Sequence, residues 1–166
     1  MKYSELRNTI KTGDILIWSS GGKWDSWRNI QLNLVKMMTM STFNHIALAY
    51  VVGGRVFVIE AVVPHIRIFP LSRELPCYYI KTNFNFTEYN EEYMLSKIGL
   101  EYSKWEAIKA LFTTETNNPD KYQCAKLVNE CLIPFSPGIE RIYDTPQETV
   151  KYLNEVCGFD ILYIEK

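Results

Sequence analysis

Apolar positions in this chain come in short runs separated by turn residues, and the period of each run predicts its element. Ile15–Trp18 is apolar without interruption and predicts a buried strand, with the loop Ser19-Ser-Gly-Gly22 after it. Residues 44–52 and 55–63 are two further strand signals on either side of Gly53-Gly54, a two-residue turn of the hairpin type. Residues 66–71 and 77–82 continue the meander, and residues 160–164 supply a last strand. Short consecutive strands of this kind predict one antiparallel sheet. Residues 1–12 are polar and read as a helical turn or arm.

Elsewhere the period changes to that of a helix. Trp27, Ile30, Leu34, Met37 and Met38 recur at helical spacing within residues 24–40. Residues 88–98 and 104–112 read as two more helices, and Thr145 with Pro146 caps another that runs to about Cys157 and is closed by Gly158. Cys124, Leu127, Val128 and Cys131 share one face of a helix whose start is expected at Asn118, Pro119 and Asp120, with Pro134 to Gly138 ending it. The methionines of 34–40 fit ordinary core packing, and they also fit a flap over an acyl or lipid-like ligand.

With 166 residues the chain is long enough for one domain over 1–166, of α+β class. Its apolar fraction of 47% and charged fraction of 22% are those of a soluble globular protein. A net charge of −1 offers no positive field to steer in a nucleic acid. Eleven tyrosines and eight phenylalanines suit a thickly packed sheet with a pocket. Four cysteines without CxxC spacing and only two histidines give no metal site and imply no cofactor; sparse cysteines on apolar faces suit a reducing compartment. The N-terminus lacks a signal-peptide core and no run is long enough to span a membrane, so the expected location is the cytoplasm, the host's if the source is viral.

The hairpin carries the first hint of chemistry. Counting outward from Gly53-Gly54, Val52 opposes Arg55 and Ala47 opposes Glu60, so His45 shares a sheet face with Glu60 one diagonal step away. A buried carboxylate needs a partner, and imidazole is a natural one. Cys124 opens a buried helix, where amide dipoles favour a thiolate. Thiol, imidazole and carboxylate are the parts of a nucleophile, a base and an orienting group. Each also has a plain reading: Cys124 as a small core residue, His45 as a satisfied core histidine, Glu60 as the partner of an Arg or Lys.

Gly13-Asp-Ile-Leu16, Asn44-His-Ile-Ala-Leu48, Val58-Ile-Glu-Ala61 and Gln123-Cys-Ala-Lys-Leu-Val128 together resemble the circularly permuted NlpC-type papain-like hydrolases. That group includes YiiX-like bacterial proteins, poxvirus relatives and, more distantly, lecithin:retinol acyltransferase; in it, as here, the histidine strand precedes the cysteine helix. The resemblance covers roughly residues 12–132 and implies a permuted papain-like fold, an antiparallel sheet of about five or six strands packed on helices that include the cysteine helix. It implies Cys124 as nucleophile, His45 as general base and Glu60 as third polar residue. Gly99-Leu-Glu-Tyr102 resembles the family's Gly-x-x-Tyr segment. Trp18 is then expected as a pocket wall and Tyr102 as a second substrate contact, while Tyr122 either donates to an oxyanion or packs. Where relatives often have Cys-Ser-Glu, this chain has Cys124-Ala125-Lys126, which bears on substrate preference.

The implied activity is that of a cysteine hydrolase or acyltransferase acting on an amide, ester or thioester of a small peptide, an amide-linked group or a lipid acyl chain, with room for peripheral membrane contact. The alternatives are an inactive module of the same fold that holds a peptide or acyl ligand, and an interaction protein using the Met-rich segment 34–40 as its surface.

Overall fold

In the computed structural model, residues 1–19, 42–102, 123–132 and 145–166 are described. The expected helices over 24–40 and 104–112, the Met-rich surface, the capping residues 118–120, Tyr122 and the segment 134–138 lie outside them. Six strands form one antiparallel sheet: β1 (Ile15–Trp18), β2 (His45–Val52), β3 (Arg55–Ala61), β4 (Ile66–Pro70), β5 (Cys77–Ile80) and β6 (Ile161–Ile164). Their order is β4-β3-β2-β1-β5-β6. Gly53 and Gly54 both take positive φ, 57° and 70°, the backbone of a tight hairpin turn. From that turn the register runs unbroken from Val52↔Arg55 to Leu48↔Ile59. Residues 62 and 63, expected to extend β3, fall outside it, since Pro64 has no amide to continue a ladder.

Both faces of the sheet are covered, which is why β1 is apolar at every position. Ile15, Ile17, Ile46, Leu48, Ile59 and Ile80 pack with Leu127, Val128, Cys131 and Leu132 of the cysteine helix. On the other face Leu16, Trp18, Ala47, Val58 and Tyr79 pack with Leu6, Ile10 and Leu71, brought by the N-terminal helical turn α1 (Tyr3–Leu6) and a 3-10 turn at Leu71–Arg73. The helix α2 (Glu88–Ser96) precedes Gly99–Tyr102, and that segment bonds back along the start of β4: Gly99 N–H donates to Ile66 O at 2.9 Å and Tyr102 N–H to Pro64 O at 2.9 Å.

The cysteine helix α3 (Cys124–Leu132) starts later than the Asn118 signal suggests. Gln123 lies outside the helix, its carbonyl accepts from Leu127 N–H at 3.1 Å, and its side-chain Oε1 accepts from Ala125 N–H at 3.1 Å. A glutamine therefore caps the helix, and Cys124 is its first residue. Asn129 then ties α3 to α4 (Pro146–Lys151), donating to Ala125 O at 2.7 Å and Thr149 Oγ1 at 3.0 Å. Thr145 caps α4 as expected, with Pro146 in the first turn, and the helix continues as a wider turn through Tyr152–Val156.

Asp14 anchors the entry to β1. Its buried carboxylate accepts from Tyr79 O–H at 2.8 Å, Lys11 N–H at 2.8 Å and Thr82 N–H at 3.1 Å. Burial and this neighbouring charge push the Tyr79 hydroxyl well above its ordinary value. Gly13, just before it, has φ +90°, and a Cβ there would sit 2.4 Å from Phe86 Cδ2. Gly13→Ala is expected to cost about 2 kcal/mol or more, combining left-handed backbone strain with a displaced ring. Urea unfolding checks this; a loss below about 0.5 kcal/mol, the scale of an ordinary surface change, would contradict it.

Candidate active site

His45 is the first residue of β2 and pairs across the sheet with Trp18, the last of β1. The alternation of the strands puts His45, Ala47, Val58 and Glu60 on one face. His45 Nε2 lies 2.7 Å from Glu60 Oε2, with the two side chains 2% and 0% exposed. Cys124 lies within electrostatic reach of the imidazole, and its Sγ is 3.9 Å from Gln123 Oε1, to which the thiol donates. Cys124 itself is buried, at the N-terminal end of α3, where the first-turn amides and the helix dipole favour negative charge.

Glu60 has a second partner that sequence reasoning did not name. Arg67, directly opposite it in the β3–β4 register, donates to Glu60 Oε1 through Nε at 2.9 Å and Nη2 at 2.6 Å. The same Nη2 donates to Glu74 Oε1 at 3.1 Å. Glu74 in turn accepts at its backbone carbonyl from Trp18 Nε1, 2.7 Å away. The Trp18 ring, 5.3 Å from that of His45 and tilted by 42°, closes the circuit. Hydrogen bonds and a ring contact thus link His45, Glu60, Arg67, Glu74 and Trp18. Arg67 was open to discovery by carrying the strand count past Pro64 to the next turn. The capping role of Gln123 has no comparable local signal.

The electrostatics follow from these contacts. Burial works against a charged His45, but its interactions with Cys124 and Glu60 outweigh it and raise the imidazole to about 9. The folded value lies above the ordinary one of about 6.5, so the stability it contributes is complete below about pH 6.5 and is lost as pH rises through about 9. Cys77 and Cys131 are the contrast: burial and a nearby carboxylate, Glu74 or Glu130, push each thiol up to about 12. All four cysteines are free.

The other expected residues are also placed. Tyr102 is partly buried and lies within electrostatic reach of Cys124: burial first, then that neighbour, raises its hydroxyl. Tyr122 lies outside the described residues. His65 is exposed and bridges to Glu101. Lys126, two residues past the thiol, is buried, with Nζ 3.8 Å from Glu130 Oε1.

No protein-family model matches the chain, and no curated protein does. Among solved structures, the metalloprotein YiiX from Escherichia coli O157:H7 matches with a TM-score of 0.51 at 16% identity, over 75% of this chain. The chain covers 66% of YiiX, slightly under two thirds of its length. The fold is YiiX-like: a mixed α and β architecture around a single antiparallel sheet. A metal ion at this site would draw on Cys124, His45 and Glu60, but both Glu60 oxygens are held by His45 and Arg67. Among the described residues no three His, Cys, Asp or Glu side chains are grouped to hold a metal. Among the described residues the donor set does not fit one.

Arg67→Met leaves the buried Glu60 with one fewer counter-charge. The expected cost is about 2–3 kcal/mol in urea unfolding, toward the low end for breaking a buried pair because Arg67 is 31% exposed. A change under about 0.5 kcal/mol would show that Glu60 does not depend on it.

Proposed function

We propose that the protein is a cysteine hydrolase or acyltransferase of the permuted papain-like kind, with Cys124 as nucleophile, His45 as base and Glu60 as its orienting group. One observation carries the reading: a single buried imidazole is bonded by Glu60 and lies within electrostatic reach of a thiol at a helix start. A carboxylate that fixes the ring and holds its proton lets the thiolate persist beside an imidazolium.

In the proposed reaction the Cys124 sulfur attacks the carbonyl carbon of an amide, ester or thioester. The S–C bond forms as the carbonyl π pair moves to oxygen, and the positive end of the α3 dipole, with Tyr122 as a further candidate donor, stabilises the oxyanion. Collapse expels the leaving group, which takes the proton from His45 and leaves an acyl-enzyme. Neutral His45 then deprotonates water, or a second acceptor, whose oxygen or nitrogen attacks the acyl carbon and releases the thiolate. Water gives hydrolysis and another acceptor gives transfer. Glu60 keeps the ring in the tautomer that both halves require. Among the described residues no helix is long and apolar enough to cross a membrane, and peptide, amide-linked or lipid acyl substrates all suit this chemistry.

Iodoacetamide labelling, with the site located by mass spectrometry, tests the assignment. Near pH 7, Cys124 is expected to react at least about tenfold faster than Cys77 and Cys131, whose thiols stay protonated. His45→Ala is expected to slow Cys124 by roughly a hundredfold. Equal, slow labelling of all four thiols would contradict the enzyme reading and favour a binding module of the same fold.

A further inference from the structure

Trp18 has a second side. β1 is antiparallel to both β2 and β5, so the end of β1 meets the start of β2, at His45, and the start of β5, at Cys77. At that end of the sheet Trp18, Ser19, Pro76, Cys77, Tyr78 and Tyr163 line a half-open cleft of about 260 Å³. The imidazole and the cleft are therefore neighbours, with the Trp18 indole between them.

The walls are braced before anything binds. Trp18 is held by its bond to the Glu74 carbonyl. Tyr78 pairs with Tyr163 across β5 and β6, ring centroids 5.1 Å apart, and meets Phe43 edge-on at 5.3 Å. None of the six lining residues is Asp, Glu, Lys, Arg or His. The one thiol among them, Cys77, is pushed up to about 12 and so stays neutral. An ionised group entering here would lose water and meet no charged side chain in the lining, the Met1 ammonium being engaged by the Tyr163 carbonyl at 3.0 Å, whereas a ring or acyl chain would lie against aromatic faces. The space is smaller than the roughly 300–1,000 Å³ that encloses a whole drug-sized ligand, and suits one substituent of a larger substrate.

We infer that this cleft is the subsite for a neutral, apolar or aromatic substituent beside the scissile carbonyl, and that it selects against charged ones. The inference rests on the catalytic reading of Cys124. It makes Trp18 a shared wall, touching the proposed base on one side and the substrate on the other.

Three thiol-directed probes test it on the full chain: iodoacetamide, its N-benzyl derivative and its N-(4-carboxybenzyl) derivative. Each transfers a carbon to Cys124 sulfur and releases iodide, so only the side group differs. The readout is the rate of each derivative at Cys124 divided by that of iodoacetamide in the same protein. In wild type the benzyl ratio is expected to be about ten with saturating kinetics, the value of one well-filled apolar pocket, and the carboxybenzyl ratio near or below one. Tyr163→Ala, at a residue 44% exposed and so tolerant of change, is expected to lower the benzyl ratio severalfold. Ser19→Asp, which places a charge on the rim, is expected to do the same. A benzyl ratio near one in wild type, a ratio unmoved by both variants, or transfer of the benzyl group to Cys77 in place of Cys124 would overturn the subsite. Failure of iodoacetamide itself to select Cys124 would remove the catalytic reading, and the subsite with it.

Discussion

The arrangement depends on one carboxylate with no access to water. Glu60 is 0% exposed, and an unpaired ion there would cost several kcal/mol in lost hydration. The fold meets that cost by bringing a guanidinium to one oxygen and an imidazole to the other. The consequence for His45 is geometric as well as electrostatic. With Nε2 committed to Glu60, the ring has one orientation, and Cys124 lies within electrostatic reach of the same imidazole. The same constraint reaches outward, because Arg67 is held in turn by Glu74, and Glu74 holds the indole that packs on His45.

Such a cluster needs an exact strand register to exist. Sliding β3 by one residue against β2 would turn Glu60 toward the opposite core, among Ile46, Leu48 and Leu127, with neither counter-charge in reach. The two positive-φ glycines fix that register at the turn, and the apolar residues of both faces hold it along the strands. On the helix side, Gln123 ends the non-helical approach and makes Cys124 the first helical residue. The thiol thus stands at the positive end of the dipole, whatever segment precedes it.

Local signals made much of this legible beforehand. Strand positions, the Gly53-Gly54 turn and the juxtaposition of His45 with Glu60 all follow from counting along one hairpin, where period and turn geometry act over a few residues. The helix start was misplaced because Asn118-Pro119-Asp120 is a strong local capping pattern, while a glutamine cap depends on how the chain enters the core. Arg67 required the count to pass a second turn around Pro64, where register is not set by turn type. Beyond Trp18 as an expected wall, the cleft could not be read, since its other walls come from strands far apart in sequence and meet only through the order β1-β5-β6. Tyr122 and the segment 24–40 fall outside the described residues, and sequence remains the guide there.

The central claim is that Cys124 and Glu60 together keep His45 protonated. The most direct measurement is an NMR pH titration of the imidazole carbons and nitrogens, with the two histidines assigned through His65→Gln. The account predicts a midpoint for His45 near 9 in the wild type and a lower one in both Cys124→Ala and Glu60→Gln, because each removes a group that raises it. A wild-type His45 that titrates at or below the ordinary value of about 6.5, unmoved by either substitution, would contradict the paired thiolate and imidazolium on which the proposed chemistry stands.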